Sequence, residues 1–256
     1  MNISFQWIGG ATFILNVGDL KIACDPVLCE KGTVQDYFWF KSKRLEEPIY
    51  ETTTFNNIDL WLITHNHEDH LDTIGLSTIH SNCTVVSNGN ASTVLKKSGI
   101  SDLTILDWYN TKQFSINGYT IKVEAIPAIH GVNPVSAFFA GKVNGYYLTI
   151  SKGEEIFNCY ITGDTVYKNK VIQALKGKAI DLLVANMGAA KAGSWIMTLT
   201  LNASMLKKMI QVLQPKMVIP VHYGTFEHYK EPITKIEAIN DERIKFVKLG
   251  STIVLH

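Results

Sequence analysis

The sequence predicts an α+β protein. Strand-patterned blocks occur in both halves of the chain, and each block passes into a strand–helix–strand rhythm that lays helices on a sheet face. A third observation is Asn117-Gly118 between two alternating apolar stretches, the strongest short hairpin signal in the chain. With 256 residues, 46% of them hydrophobic, the chain can bury a full core. One domain spanning 1–256 is expected, built from two similar halves of roughly 1–150 and 151–256.

Ile3, Phe5 and Trp7 alternate with polar residues, as do Phe13, Leu15 and Val17. With turns at Gly9-Gly10 and Gly18-Asp19 and a third strand over 20–24, they form an antiparallel meander. From 27 to 57 the periodicity disappears while Tyr37, Phe38, Trp39 and Phe40 mix with charged residues. That stretch predicts a long loop with one helical turn, of the kind that carries function or moves. An apolar strand from Ile58 to Ile63 then enters residues 64–70, and a helix over 73–80 follows with Asp72 as its cap. Strands over 84–86 and 104–106 flank a helix over 91–97, and the hairpin pairs 114–116 with 119–126. Strands are expected over 137–140, 145–151 and 155–162. Beyond them come a helix over 167–175, a strand over 181–185, a helix over 201–213, a strand over 217–221, a helix over 232–239, and strands over 244–247 and 252–255.

Residues 64 to 70 read Thr-His-Asn-His-Glu-Asp-His. Imidazole is the commonest transition-metal ligand among side chains and carboxylate its usual hard complement. His65, His67, Asp69 and His70 therefore read as most of a metal site delivered by one loop. His130, Asp164 and His222 each sit where an apolar strand meets a small residue, and residues just beyond strand ends converge on one rim of a sheet. His80, His228 and His256 stand outside this pattern and read as surface or satisfied structural histidines. His228 is the least secure of them, because it shares a segment with Tyr223, Phe226 and Tyr229 that could line a cleft. The four cysteines form no C-x-x-C pair and read as free thiols.

Net charge is +1 and no long Lys/Arg run exists, so a nucleic-acid partner is disfavoured and a small-molecule substrate is expected. No apolar run approaches the roughly 18–20 residues of a membrane span, and the N-terminus lacks a basic segment followed by a long apolar core. A cytoplasmic location is expected, and self-association stays open.

The H-x-H-x-D-H pattern at 65–70, Asp25-Pro26, His130, Gly163-Asp164 and His222 together resemble the metallo-β-lactamase superfamily over nearly the whole chain. The resemblance implies a four-layer αβ/βα sandwich with metals at one edge. It implies two divalent metals, one on His65, His67 and His130, the other on Asp69, His70 and His222, with Asp164 bridging both. A water shared by them would ionise near neutral pH and serve as nucleophile, giving a dinuclear metal-dependent hydrolase. Asp69 would orient that nucleophile or shuttle its proton, and Asp25 would hydrogen-bond and orient the metal loop. Zinc suits these donors best, and manganese or iron fits a bridging Asp as well.

Residues 7–13, 23–26 and 219–226 resemble the branch containing ascorbate phosphate lactonase and, more loosely, phospholipases D that release N-acylethanolamines. An ester-type bond of a lactone, phosphoester or phosphodiester is then implied rather than a β-lactam. Trp39, Trp195 and Tyr223 are expected to form an apolar pocket wall, with Lys191 facing an anionic substrate group. Two alternatives stay open: an iron-dependent oxidoreductase or dioxygenase of the same fold, and a non-catalytic, metal-stabilised interaction protein. The diiron flavoprotein branch usually has Glu where this chain has His67, and the intact set of seven ligands argues against loss of turnover.

Overall fold

The computed structural model describes residues 1–37, 40–191 and 198–255. Its strands are β1 (Ile3–Gly9), β2 (Thr12–Val17), β3 (Leu20–Cys24), β4 (Val34–Asp36), β5 (Lys41–Lys43), β6 (Leu60–Ile63), β7 (Thr84–Ser87), β8 (Leu103–Ile105), β9 (Thr111–Ile116), β10 (Tyr119–Ala128), β11 (Val143–Lys152), β12 (Glu155–Ile161), β13 (Leu182–Asn186), β14 (Met217–Val221) and β15 (Thr252–Val254). Its helices are α1 (Thr73–Leu76), α2 (Ser92–Lys97), α3 (Pro134–Ala140), α4 (Asn169–Ala174), α5 (Ala203–Leu213) and α6 (Ile233–Glu237).

One sheet has the order β15-β1-β2-β3-β6-β7-β8 and the other β14-β13-β12-β11-β10-β9. In each, an antiparallel meander continues into parallel strands, β3-β6-β7-β8 in the first and β12-β13-β14 in the second. The inner faces meet in one core, where Phe5, Phe13 and Leu62 pack in the same cluster as Ile121, Val123 and Leu148. On its other face the first sheet presents Ile14, Ala23, Trp61 and Val85, which cluster with Leu71, Ala91 and Leu95 around α1 and α2. Strands covered on both faces read as unbroken apolar runs, which is why Leu60–Ile63 is buried throughout. Helices α4 and α5 cover the second sheet, with Val171, Leu206 and Met209 joining the main core. The architecture is thus the expected α+β sandwich.

The meander and the 117–118 turn match expectation: Asn117 (φ 52°) and Gly118 (φ 77°) both take the left-handed conformation that joins twisted strands tightly. Asp72 caps α1 by accepting from the Gly75 amide at 2.6 Å. Three readings need correction. The 27–57 segment, expected as a loop with one helical turn, makes tight turns over 52–57 and carries in addition the hairpin β4–β5, pairing Gln35 with Ser42. Residues 137–140 belong to α3, not a strand. Asn133 caps it by accepting from the Ser136 amide at 2.8 Å, Pro134 opens its first turn, and a short apolar run then follows the helix already begun. No strand forms over 244–247, where the backbone makes a single bridge from Ile244 to Val218. The sheets divide the sequence before β9, nearer residue 110 than 150, and β15 returns to the first sheet.

Candidate metal centre

Strands β6, β10, β12 and β14 deliver the site from their C-terminal ends. Thr64 follows β6 directly, His130 lies two residues beyond β10, Asp164 three beyond β12, and His222 immediately after β14. Thr64 anchors the loop: its amide and hydroxyl donate to the two oxygens of Asp25 at 2.7 and 2.6 Å. Its carbonyl accepts from Asn88 Nδ2 at 2.9 Å and from the Asn144 amide at 3.0 Å. His222 takes φ 62° beside Gly188, where an added Cβ would lie 2.6 Å from the His222 carbonyl oxygen. Only a glycine lets the chain pass so close.

Seven side chains converge there in two groups, His65, His67 and His130 in one, and Asp69, His70, Asp164 and His222 in the other, with ligand atoms of each group within 4.8 Å of one another. His67 Nδ1 lies 3.0 Å from His65 Nε2 and 3.3 Å from His130 Nε2. His70 Nε2 lies 3.1 Å from His222 Nε2. Asp164 faces both groups: Oδ1 is 3.2 Å from His70 Nε2, and Oδ2 is 3.7 Å from His130 Nε2.

The outer nitrogens fix which inner ones are bare. His130 Nδ1 donates to the Leu199 carbonyl at 3.0 Å and His222 Nδ1 to the Met187 carbonyl at 3.3 Å. Carbonyls only accept, so both Nε2 atoms turn a lone pair inward. His65 Nδ1, 3.0 Å from Thr64 Oγ1, meets a hydroxyl whose proton goes to Asp25, so it also donates outward. His65, His130 and His222 thus turn lone pairs into a dry site that also holds Asp69 and Asp164, an arrangement a cation would satisfy. The residues therefore fit transition metal, and imidazole with carboxylate is a zinc-type donor set.

Electrostatics divide the two groups. Burial, with His130 nearby, pushes His67 down to about 4, and burial lowers His65 and His130 too. Burial also opposes the charge on His70, but the carboxylates of Asp164, Asp25 and Asp69 outweigh it and raise His70 well above the usual range. Protons compete with metal only below a ligand's pKa, so the first group stays ready in mild acid while a metal ion at the second would have to displace a proton. With both groups loaded with a divalent ion, lowering the pH in metal dialysis is expected to empty the second group first, the first group holding towards the His67 value of about 4. Simultaneous release, measured by metal analysis, would contradict this order.

Asp69 is buried, and burial would raise its pKa; His70, His222 and His228 instead hold it well below the carboxylate range. His228 and Tyr229 are the participants that sequence reasoning missed. Ser42 Oγ lies 2.6 Å from His228 Nδ1, while His228 Nε2 and the Tyr229 hydroxyl each approach Asp69 Oδ2 to 3.0 Å. Their only signal was the aromatic, histidine-containing segment after His222.

Above the cluster opens a cavity of about 240 Å³, walled by Tyr37, Phe40, Phe139 and Leu199 and floored by His67, Asp69, His130 and Asp164. Asp25 holds the loop as expected, and its Oδ2 also lies 2.7 Å from His70 Nδ1. Trp39 and Trp195 fall outside the described residues. Tyr223 does not line the cavity, a correction with a packing reason: its ring lies 4.8 Å from that of Trp7 in the main core. Lys191 does not line it either; its amide donates to the His228 carbonyl at 3.0 Å.

A two-sheet α+β sandwich carrying a His/Asp cluster at the C-terminal ends of its strands defines the metallo-β-lactamase class. The chain belongs to that superfamily: a family model described as "Beta-lactamase superfamily domain" matches residues 4–222. Among curated relatives it is 22% identical over 253 residues to the N-acyl-phosphatidylethanolamine-hydrolyzing phospholipase D 1 of Caenorhabditis elegans, covering 93% of this chain and 69% of that one. It is 23% identical over 257 residues to a UPF0173 metal-dependent hydrolase of Alkaliphilus metalliredigens, covering 94% and 99%. Its fold matches the crystal structure of "a possible metal-dependent hydrolase" from Veillonella parvula, with TM-score 0.83, 20% identity and full coverage of both chains. An isothiocyanate hydrolase from Delia radicum gut bacteria matches with TM-score 0.79 and 18% identity over 98% of each. No helix among the described residues is long and apolar enough to cross a membrane.

Proposed function

We infer that this chain is a dinuclear metal-dependent hydrolase that cleaves an ester-type bond, of lactone or phosphoester kind, in a small molecule. The observation that carries the reading is Asp164, whose two oxygens face two separate donor groups at the floor of one cavity. His65, His67 and His130 would hold one divalent ion, and Asp69, His70 and His222 the other, with Asp164 between them. Such ions supply Lewis acidity, ionising water near neutral pH and polarising the scissile oxygen.

The remaining work falls to the side chains. Asp69, its Oδ2 held by His228 and Tyr229, stays anionic far below neutral pH. A carboxylate so depressed is a poor proton store, so it suits orienting the attacking water better than accepting its proton. Met187 and Leu199 carbonyls keep the His222 and His130 rings turned inward, and the apolar walls exclude competing water. The relatives named as phospholipase D and metal-dependent hydrolase support hydrolysis as the reaction class.

Metal analysis of gently purified protein, combined with a lactone, phosphodiester and thioester screen, tests the reading. Close to two metal equivalents and turnover of at least one ester class are expected. Protein without transition metal would sink the site assignment, and bound iron with oxygen-dependent activity but no hydrolysis would favour the oxidoreductase.

A further inference from the structure

We propose that the substrate is uncharged and apolar on the side of its reacting bond that enters the cavity, so that the site selects against substrates carrying an additional anionic group. The proposal rests on the hydrolase reading and narrows it. Four of the cavity walls are the apolar faces of Tyr37, Phe40, Phe139 and Leu199. The charged residues that line it above the metal-type donors are acidic, Asp36 and Glu68. Those two are linked, the Asp36 amide donating to Glu68 Oε2 at 3.2 Å, which holds the Glu68 carboxylate beside the opening.

No lysine or arginine lines the cavity among the described residues. Nor can the remaining segments supply one. Residues 38–39 are Phe-Trp, and residues 192–197 are Ala-Gly-Ser-Trp-Ile-Met. Neither Lys41 nor Arg44, which follow the lining residue Phe40, lines the cavity. Lys41 Nζ lies 3.3 Å from Asp36 Oδ2 on the exposed hairpin. Arg44 is fully buried, donating to the Glu46 and Val27 carbonyls at 2.9 Å each. Positive charge at the cavity floor would be that of metal held by the cluster, where Asp69 and Asp164 already face it.

A second anionic group on a bound substrate would therefore meet apolar walls and the Glu68 carboxylate, the Asp36 carboxylate being paired with Lys41, with no lining lysine or arginine among the described residues to pair it. Burying an unpaired charge is costly, and a like charge at the mouth slows entry as well. An alkyl or aryl group would instead gain by burial against the aromatic walls.

Matched probes test this. In 4-nitrophenyl butyrate the acyl chain ends in a methyl, and in mono-4-nitrophenyl succinate a carboxylate takes its place. On the metal-loaded protein, kcat/KM for the butyrate is expected to exceed that for the succinate by at least about tenfold at low salt, a gap that narrows with ionic strength and in Glu68→Gln. Equal or better turnover of the succinate would overturn the proposal and leave the hydrolase reading intact. Binding of butyrohydroxamate against succinic monohydroxamate gives a readout that needs no turnover. If no ester is cleaved but the neutral hydroxamate binds tighter by a similar factor, hydrolysis fails and the pocket selectivity stands. Tighter binding of the carboxylated hydroxamate overturns the selectivity.

Discussion

Asp164→Ala is expected to abolish turnover, by roughly 1,000-fold or more in kcat, the upper range for removing one oriented electrostatic group from an active site. Bound metal should fall from close to two equivalents to one or fewer. The reason lies in the geometry: Asp164 Oδ1 is 3.2 Å from His70 Nε2 and 3.5 Å from His222 Nε2, while Oδ2 reaches towards His130. No other carboxylate in the cluster faces both groups at these distances. Asn186 Nδ2 donates to Oδ1 at 3.0 Å, so the side chain is held in this orientation whichever cation it meets. Asp164→Asn separates charge from shape. It keeps one acceptor oxygen and the volume, so the fold should persist by circular dichroism while metal content and activity fall as in the alanine variant. If either variant retains both metals and a tenth of the activity, Asp164 does not bridge.

Much of this cluster was legible because its candidate donors lie at strand ends, and strand ends can be read from apolar runs. The motif at 65–70 follows Leu60–Ile63, a run that burial on both faces makes conspicuous, and His222 follows Met217–Val221 in the same way. What sequence could not show were partners joined only by the fold. Ser42, His228 and Asp69 form one hydrogen-bonded chain, yet more than 150 residues separate His228 from each of the others, and no spacing rule reaches so far. The misread helix has a different cause. Ala137-Phe138-Phe139-Ala140 is too short for periodicity to tell helix from strand, and the deciding signal lay upstream in Asn133-Pro134, a cap followed by a residue already fixed at helical φ. Tyr223 was drawn towards the pocket by its neighbour His222, but consecutive residues need not share a face, and Trp7 offered its ring a buried partner.

Asp25→Ala should cost both stability and metal. The carboxylate is fully buried and takes the Thr64 amide, the Thr64 hydroxyl and His70 Nδ1 at 2.6–2.7 Å. Alanine leaves three buried donors without acceptors and removes the carboxylate partner of a buried histidine. Each orphaned group costs about 1–3 kcal/mol, and breaking a buried pair typically costs about 3–5 kcal/mol, so a loss of at least about 3 kcal/mol is expected in denaturant titration of the metal-free protein. Metal affinity should fall by roughly 10–100-fold, the usual effect of removing a partner that orients a ligand. Asp25→Asn distinguishes the two effects. Its oxygen can still accept from the Thr64 amide, and its NH2 can donate to the Thr64 hydroxyl, so most stability should return. That same NH2 faces His70 Nδ1 and can only donate, which forces the His70 proton onto Nε2, the atom that must be bare to hold metal. The asparagine variant should therefore recover folding but not the second metal equivalent, and calorimetric metal binding within twofold of the parent protein would show that Asp25 does not set the His70 tautomer.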